Sequence, residues 1–425
     1  MYMKKRRWSG LLACGLVTIA GCSLDLQDPN RPTEEEVFSG LDGLRAVAIG
    51  LQAEYGNEVV DPIYVQGLIT DELGAGPSSF QTYKDVDAGT RLENTFEVAS
   101  DPWIGQYEVV KLANDVLEVT PQSEFGEGTK SGLLALARLY KAMAFGNLIQ
   151  LFERIPIDVG VDNPTPPAVT REEALSGILT LLQDAAAGIE ATPPSAAFLN
   201  EILAPGFDLE NTIGAMTARY ALIAGDLDLA MSAAEGVDLA VLSVLPYVDT
   251  DPNPLWTMWY NSGNAYQMRP EQDLRLEAEA GDQRVEFWVQ AASFAGANGK
   301  TLDELNRYAS RATNLPAYFP DEMRLIRAEV HARRNELPEA IELINEVRTP
   351  CSSALAEPVA CLPPLTGGDL PTQQAVLDEI LEQRRYELFL QGVRYSDLRR
   401  FAQPMPFEWI LLPNVECSRN PELGC

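Results

Sequence analysis

The chain has 425 residues, of which 46% are hydrophobic, enough for a substantial core in one large domain or in two to three ordinary ones. Its formal net charge of −30 opposes binding to nucleic acid and to anionic lipid headgroups. A single histidine, His331, leaves almost no material for histidine-based catalytic triads or multi-histidine metal sites.

The N-terminus has the pattern of a bacterial export signal. A basic segment, Lys4–Arg7, precedes the apolar, small-residue segment Leu11–Ala20, which is too short to span a bilayer. Ile19–Cys22 (IAGC) resembles the lipobox of bacterial lipoproteins, which implies cleavage before Cys22 and lipidation of its thiol and amine. We therefore expect a signal peptide at residues 1–21 and a single mature domain at 22–425. An ordinary secretory signal, with Cys22 incidental, is the alternative.

Helical periodicity dominates the next two hundred residues. Ser131–Phe152 is apolar on more than one face, which is typical of a buried helix. Thr170 is followed three residues later by Glu173, the spacing of a capping box at a helix start.

Two helical hairpins are predicted at Asn211–Val237 and Pro320–Arg348. Each contains two alanines twelve residues apart on either side of a polar turn (Ala218 and Ala230; Ala328 and Ala340). In tetratricopeptide hairpins, small residues at this separation lie where the two helices approach closely. The pattern predicts an all-α fold of tetratricopeptide-like hairpins, although independent hairpins without a repeat remain possible.

Two irregular segments interrupt the helices, Gly74–Asn94 and a loop-rich insertion at about 248–301. Both contain aromatic residues, and the second also has amides nearby, at Asn261, Asn264 and Gln267. Aromatic faces stack on sugar rings while amides bond to their hydroxyl groups, so we interpret these loops as a glycan-binding surface. The candidate ligand-binding residues are Phe80, Tyr83, Trp256, Trp259, Tyr260, Asn261 and Tyr266. The alternative for each ring is a position in the core.

Two stretches resemble known ligand loops only superficially. Phe294–Thr301 (FAGANGKT) nearly spells a P-loop but has Phe294 in place of the first glycine. The segment from Asp249 begins like a calcium-binding EF-hand loop, but Pro254 replaces its glycine and Tyr260 its final glutamate. We predict no metal site and no cofactor.

The four cysteines near the C-terminus indicate an oxidising compartment. They allow three pairings, of which the local one, Cys351–Cys361 with Cys417–Cys425, closes its loops most easily. Zinc is the competing interpretation, and it is disfavoured because no C-x-x-C pair occurs.

The C-terminal hundred residues resemble the SusD/RagB family. Pro320–Arg348 resembles its E-M-x-L-x-x-A-E helix and N-x-V-R helix end, and the segment from Leu412 resembles its closing L-P-x-x-E-x-x-x-N-P motif. Trp103, Tyr107 and Asn114 have the spacing of an N-terminal family motif. The E-x-R-x-x-E-L-x-x-x-G-x-R-x-x-D-L-x-R motif is matched by Glu382, Arg384, Glu387, Leu388, Gly392, Arg394, Asp397, Leu398 and Arg400.

The charged residues of this last motif are also the best-placed candidates for proton transfer. Glu387 and Arg394 are expected to share a helix face, and Arg394–Asp397 and Asp397–Arg400 are i,i+3 neighbours. We interpret them as a structural ion network and predict no catalytic residue.

The resemblance implies an outer-membrane lipoprotein that faces outward and delivers a captured nutrient to a SusC-like TonB-dependent transporter. It also implies a helical scaffold that supports a loop-built binding face, with a glycan as the leading ligand and no catalysis. Two other functions remain open from the residues themselves: a tetratricopeptide-like adaptor that binds a protein or peptide, and a hydrolase that uses a carboxylate pair.

Overall fold

Helices form most of the protein in the computed structural model, which describes residues 40–160, 162–163, 165–261 and 268–425, with only the backbone of residue 261. The predicted signal peptide, Cys22, Asn264, Tyr266 and Gln267 lie outside the described residues, as does the side chain of Asn261. The α-helices are α1 Leu41–Glu58, α2 Val60–Ile69, α3 Gln81–Asp87, α4 Glu97–Val119, α5 Glu127–Leu151, α6 Arg171–Ala191, α7 Ala196–Glu201, α8 Leu209–Ala224, α9 Leu227–Glu235, α10 Pro254–Trp256, α11 Asp273–Leu276, α12 Arg284–Trp288, α13 Pro320–Arg333, α14 Leu337–Arg348, α15 Gln373–Glu387, α16 Arg394–Arg400 and α17 Asn414–Arg419.

Short antiparallel strand pairs lie in and beside the irregular segments. The strands are β1 Leu73–Ala75, β2 Val244–Leu245, β3 Met268–Pro270, β4 Val289–Ala295, β5 Thr301–Leu305 and β6 Leu315–Pro316. In the described part of the chain, β1 pairs with β3, β2 with β6 and β4 with β5. The β4–β5 hairpin places Phe294 opposite Leu302, with a register shift between Gln290 and Phe294. The segment Gly74–Asn94, predicted to be irregular, contains the helix α3 as well as loops.

The predicted helical hairpins are present as α8–α9 and α13–α14. All four alanines of the twelve-residue pairs are fully buried, because each lies where the helices of its hairpin pack against each other and their neighbours. Gly225 ends α8 in the left-handed conformation (φ 83°), which a glycine adopts without strain. The predicted all-α fold of tetratricopeptide-like hairpins is confirmed.

The capping box is also present. Thr170 Oγ1 accepts a hydrogen bond from the Glu173 amide at 3.3 Å, and the Glu173 carboxylate accepts one from the Thr170 amide at 2.9 Å. This reciprocal pair begins α6 at the predicted position. The single histidine, His331, lies near the end of α13 with its Nδ1 2.7 Å from the Glu336 carboxylate.

A buried ion network joins three helices near the C-terminus. Arg384 of α15 holds Asp397 of α16 through two hydrogen bonds of 2.7 and 3.0 Å. Arg400 bonds Asp397 at 2.9 Å and both carboxylate oxygens of Glu329 in α13 at 2.7 and 2.8 Å. Burial would raise the pKa of Asp397 and Glu329, but the surrounding arginines outweigh it and hold both pKa values below their usual range.

One expected pair of this network is wrong. Glu387 ends α15 and Arg394 begins α16, and the chain between them turns at Leu390 and Gly392, whose φ angles are 56° and 66°. The two side chains therefore share no helix face. Glu387 instead lies 3.5 Å from Arg284, and burial raises its pKa well above the usual range.

The four C-terminal cysteines form the disulfides Cys351–Cys361 and Cys417–Cys425. This is the local pairing that the sequence favours over the two alternatives. In the described part of the chain, no helix has both the length and the apolar character needed to cross a membrane.

Several carboxylates lie close together where α1, α2 and α4 meet. Glu54, Glu58 and Glu108 each place a carboxylate oxygen within 4.8 Å of the others, and no ion pair joins them to a lysine or arginine among the described residues. Asp61 and Asp101 lie beside this group. Burial first and repulsion second raise the pKa of Glu58 to about 7 and of Asp61 to about 8.

Replacing Asp61 by asparagine should therefore stabilise the protein in a pH-dependent way. A carboxyl group whose pKa is raised in the folded state destabilises folding as the pH rises from its unfolded value, near 4, to its folded value, near 8. We expect a gain of about 1–3 kcal/mol in the free energy of unfolding at pH 8, shrinking toward pH 4. Thermal melts across this range, with the exposed Asp42→Asn as control, test it. A gain in stability that is equal at pH 4 and pH 8 would contradict the raised pKa of Asp61.

Candidate ligand-binding face

Two aromatic side chains stand out on a helical turn of the irregular region. The short helix α10 continues into a π-helical turn at Thr257–Asn261, a conformation found often at functional sites. Trp256 and Tyr260 come from this turn with nearly parallel rings, whose centroids are 6.4 Å apart and whose planes differ by 23°. Tyr260 is 40% exposed, so its ring is available to a ligand.

Tyr260 is fixed to the β4–β5 hairpin. Its hydroxyl donates a hydrogen bond of 2.7 Å to the Leu305 carbonyl at the end of β5. Burial, and then the nearby Glu304 carboxylate, raise the pKa of Tyr260 to about 12, so the phenol keeps its proton at neutral pH. The ring is therefore held in one orientation rather than free to rotate into solvent.

A second exposed ring and two arginines extend the surface. Arg269 of β3 bonds Glu304 at 2.6 Å and lies 3.8 Å from the centroid of Phe294, which is 40% exposed on β4. Arg311 lies 5.0 Å from the centroid of Trp256. We call these five residues, Trp256, Tyr260, Arg269, Phe294 and Arg311, the aromatic face. Near-parallel rings with hydrogen-bonding groups at their edges can bind a flat, partly apolar and partly polar molecule such as a sugar.

Two of the candidate rings are wrong as contact residues, because the structure buries them. Trp259 is only 4% exposed and packs in the core, although it directly precedes Tyr260 on the same turn. Tyr83 is fully buried in an edge-to-face contact with Tyr64, at 5.8 Å between centroids. Both rings therefore occupy core positions, which was the alternative interpretation for each ring.

Phe80 is the candidate from the N-terminal loop that stays accessible, with 44% exposure at the start of α3. Helix α3 contacts the turn of the β4–β5 hairpin, where Asn298 donates a hydrogen bond of 3.0 Å to the Lys84 carbonyl. Helix α3, which Phe80 precedes, therefore meets the turn of that hairpin, whereas Tyr260 bonds to the end of β5. The candidates Asn261 and Tyr266 stay untested predictions.

The P-loop-like stretch forms the turn of the β4–β5 hairpin, and its lysine is already engaged. Lys300 lies 2.9 Å from both Asp71 and Asp87 and also bonds Glu271, and these carboxylates raise its pKa although burial would lower it. The three acids lie close enough to share a cation, and the lysine ammonium takes that place. The carboxylates between α1 and α4 are the other described group with such spacing.

The EF-hand-like segment shows no ligand cluster in the described residues. The side chain of Asn253 accepts a hydrogen bond of 2.8 Å from the Leu255 amide and donates one of 2.7 Å to the Thr313 carbonyl. It therefore serves as a helix cap and a loop tie.

Sequence reasoning missed Arg269, Phe294 and Arg311. The sequence analysis considered Phe294 only as a mismatch to the P-loop motif. An aromatic residue just before a glycine-containing turn could instead have indicated a β-hairpin with that ring on its surface. The arginines carry no local signal, because Arg269 reaches Glu304 and Phe294 from a strand paired with β1, and Arg311 reaches Trp256 across 55 residues of chain.

Comparison with known proteins connects this geometry to a family. Residues 245–408 match the model of the SusD family. A SusD superfamily protein from Bacteroides fragilis is similar over 92% of this chain and 100% of its own, with a TM-score of 0.68 and 17% identity. One from Bacteroides vulgatus is similar over 91% and 98%, with a TM-score of 0.71 and 16% identity.

A third similar structure is that of a SusD-like carbohydrate binding protein from Bacteroides vulgatus. It covers 86% of this chain and 84% of its own, with a TM-score of 0.66 and 16% identity. No curated protein sequence matches this chain. The matched segment contains all five residues of the aromatic face. The chain is therefore SusD/RagB-like in the sequence of residues 245–408 and in its fold along most of its length.

Proposed function

We propose that this chain is an outer-membrane lipoprotein, anchored through Cys22 and facing outward, that binds a glycan nutrient. It passes that nutrient to a SusC-like TonB-dependent transporter and performs no catalysis. The single mature domain, residues 22–425, supplies both the helical scaffold and the loop-built face. The supporting observation is the near-parallel pair of the half-buried Trp256 and the exposed Tyr260, which lies in the family-matched segment, with Tyr260 held by its hydrogen bond to Leu305.

The geometry favours a glycan over a wholly apolar ligand. The rings give flat apolar area, while Arg269, Glu304 and Arg311 supply donors and acceptors around them. A carbohydrate presents C–H groups on one face of each sugar ring and hydroxyl groups at its edge, which matches this distribution. That a structural neighbour is a carbohydrate binding protein agrees with the proposal.

Removing one ring from the face should weaken glycan binding while leaving the fold intact. We expect Tyr260→Ala and Trp256→Ala each to lose about 2 kcal/mol of binding free energy, roughly thirtyfold in affinity. Isothermal titration of the mature protein against a glycan panel would first identify a ligand, and thermal melts would confirm folding of each variant.

Trp259→Phe is the matched control, because it also changes a ring on the same turn. Trp259 is buried, and its indole nitrogen has no hydrogen-bond partner among the described residues, so phenylalanine leaves no polar group unsatisfied. We expect unchanged affinity in this variant. Equal affinity in wild type, Tyr260→Ala and Trp256→Ala would refute the face. Binding to proteins alone would favour the adaptor, and release of cleaved glycan would favour the hydrolase.

A further inference from the structure

We propose that Arg311 makes the aromatic face selective for glycans that carry an anionic group, a carboxylate or a sulfate. This inference rests on the proposed function and names the class of glycan that the same face binds.

Arg311 is the cation of the face without an acidic partner. Its side chain is exposed, and among the described residues no carboxylate lies within ion-pair distance of its guanidinium. The other arginine of the face differs, because Arg269 pairs with Glu304 at 2.6 Å. A guanidinium without a counter-charge at a ligand face can pair with an anionic group of the ligand.

The position of Arg311 is set by the loop that carries it. Its carbonyl accepts a hydrogen bond of 2.7 Å from the Asn253 amide, and the Thr313 carbonyl accepts another of 2.7 Å from the Asn253 side chain. Asn253 in turn caps the turn that carries Trp256. The loop and the turn are thus tied together at their bases, and the guanidinium lies 5.0 Å from the Trp256 centroid.

This placement suits an anionic substituent on a stacked sugar. A sugar stacked on the exposed ring of Tyr260 would lie close to Trp256, whose centroid is 6.4 Å from that of Tyr260. The Arg311 guanidinium lies 5.0 Å from the same Trp256 centroid. A substituent on that sugar, or on its neighbour in the same oligosaccharide, can reach Arg311. The planar guanidinium offers paired donors that match carboxylate and sulfate oxygens.

The overall negative charge of the protein does not cancel this attraction. At physiological ionic strength the Debye length is about 8 Å, so distant exposed acids are largely screened. The acid beside Tyr260, Glu304, is already paired with Arg269 at 2.6 Å. The contacts that an oligosaccharide makes with Arg311 are therefore governed by the local charge.

The test compares glycans that differ only in charge. The probes are oligogalacturonate against its methyl ester, and sulfated carrageenan oligosaccharides against their desulfated forms. We expect the mature wild-type protein to bind the charged member of at least one pair about tenfold more tightly in low salt, with the preference falling as salt rises. The pair that shows the preference distinguishes a carboxylate ligand from a sulfate ligand.

Arg311→Gln should remove the preference and leave the affinity for the neutral member unchanged, while Arg311→Lys should retain part of it. Arg419→Gln removes one exposed charge from α17, outside the face, and should leave the preference and both affinities unchanged. Equal affinity for both members in wild type, or a preference that survives Arg311→Gln in a variant with an unchanged melting temperature, overturns the inference while glycan binding stands. Binding to no glycan overturns the proposed function as well.

Discussion

Replacing Asp397 by alanine should lower the free energy of unfolding by about 3–5 kcal/mol at pH 7. Asp397 is 1% exposed and is held by Arg384 and Arg400 at 2.7 to 3.0 Å. Its removal leaves Arg384, itself buried, without the carboxylate that balances its charge. Chemical denaturation of wild type and variant gives the difference directly.

The effect should depend on pH in the direction opposite to that of Asp61. The pKa of Asp397 is depressed in the folded state, so its stabilisation is present above the unfolded pKa, near 4, and is lost as the pH falls through the folded pKa. The difference in free energy of unfolding between wild type and Asp397→Ala should therefore become smaller below pH 4. Asp42→Ala is the control, since that side chain is 98% exposed and should change stability by less than about 0.5 kcal/mol. A cost below about 1 kcal/mol for Asp397→Ala would contradict a tightly held network.

Replacing Trp288 by alanine should cost about 3–5 kcal/mol of stability as well. Trp288 is fully buried at the junction of α12 and β4, and its ring meets Phe319 and Phe389 edge-on, at 5.9 and 5.7 Å between centroids. Its indole nitrogen donates a hydrogen bond of 2.7 Å to the Tyr386 carbonyl in α15. This ring joins the loop-rich insertion to the C-terminal helices, so its loss opens a cavity between them.

Trp288→Phe separates packing from hydrogen bonding. It keeps an aromatic ring but loses the donor to Tyr386, so we expect an intermediate cost of about 1–2 kcal/mol. Thermal melts of the three proteins, with glycan affinity measured well below each melting temperature, test the idea. An alanine variant as stable as the phenylalanine variant would show that the ring does not connect the two regions.

Local sequence patterns were sufficient to predict the helices and helical hairpins. The Thr170–Glu173 capping box and the paired alanines of each hairpin act within one or two turns of helix, so the printed sequence contains everything needed to place them. The C-terminal motif contains Arg384, Asp397 and Arg400 of the ion network, but the expected Glu387–Arg394 pair is not part of it. The assumed continuous helix failed at Gly392, because its left-handed backbone, together with that of Leu390, ends α15 seven residues before α16 begins.

The aromatic face was only partly predictable, for a physical reason. Trp256, Trp259 and Tyr260 occupy one turn, and whether a ring faces solvent or core depends on what packs against that turn. The Leu305 carbonyl that holds Tyr260 lies 45 residues later in the chain. The local sequence of the loop contains no pattern that reveals this contact. Trp259 was therefore predicted to contact the ligand, although it lies in the core.

The ammonium of Lys300 has a consequence for transplanting this face to another scaffold. Lys300 and Glu271 belong to the loop-rich insertion, whereas Asp71 and Asp87 come from the N-terminal part of the chain. A graft of residues 248–301 alone would keep the cation and one of its three carboxylates. It would also separate β3 from its partner β1, which positions Arg269. The face therefore cannot be transferred as one segment. A chimera intended to change ligand specificity would need to exchange residues 71–87 and 302–311 together with the insertion.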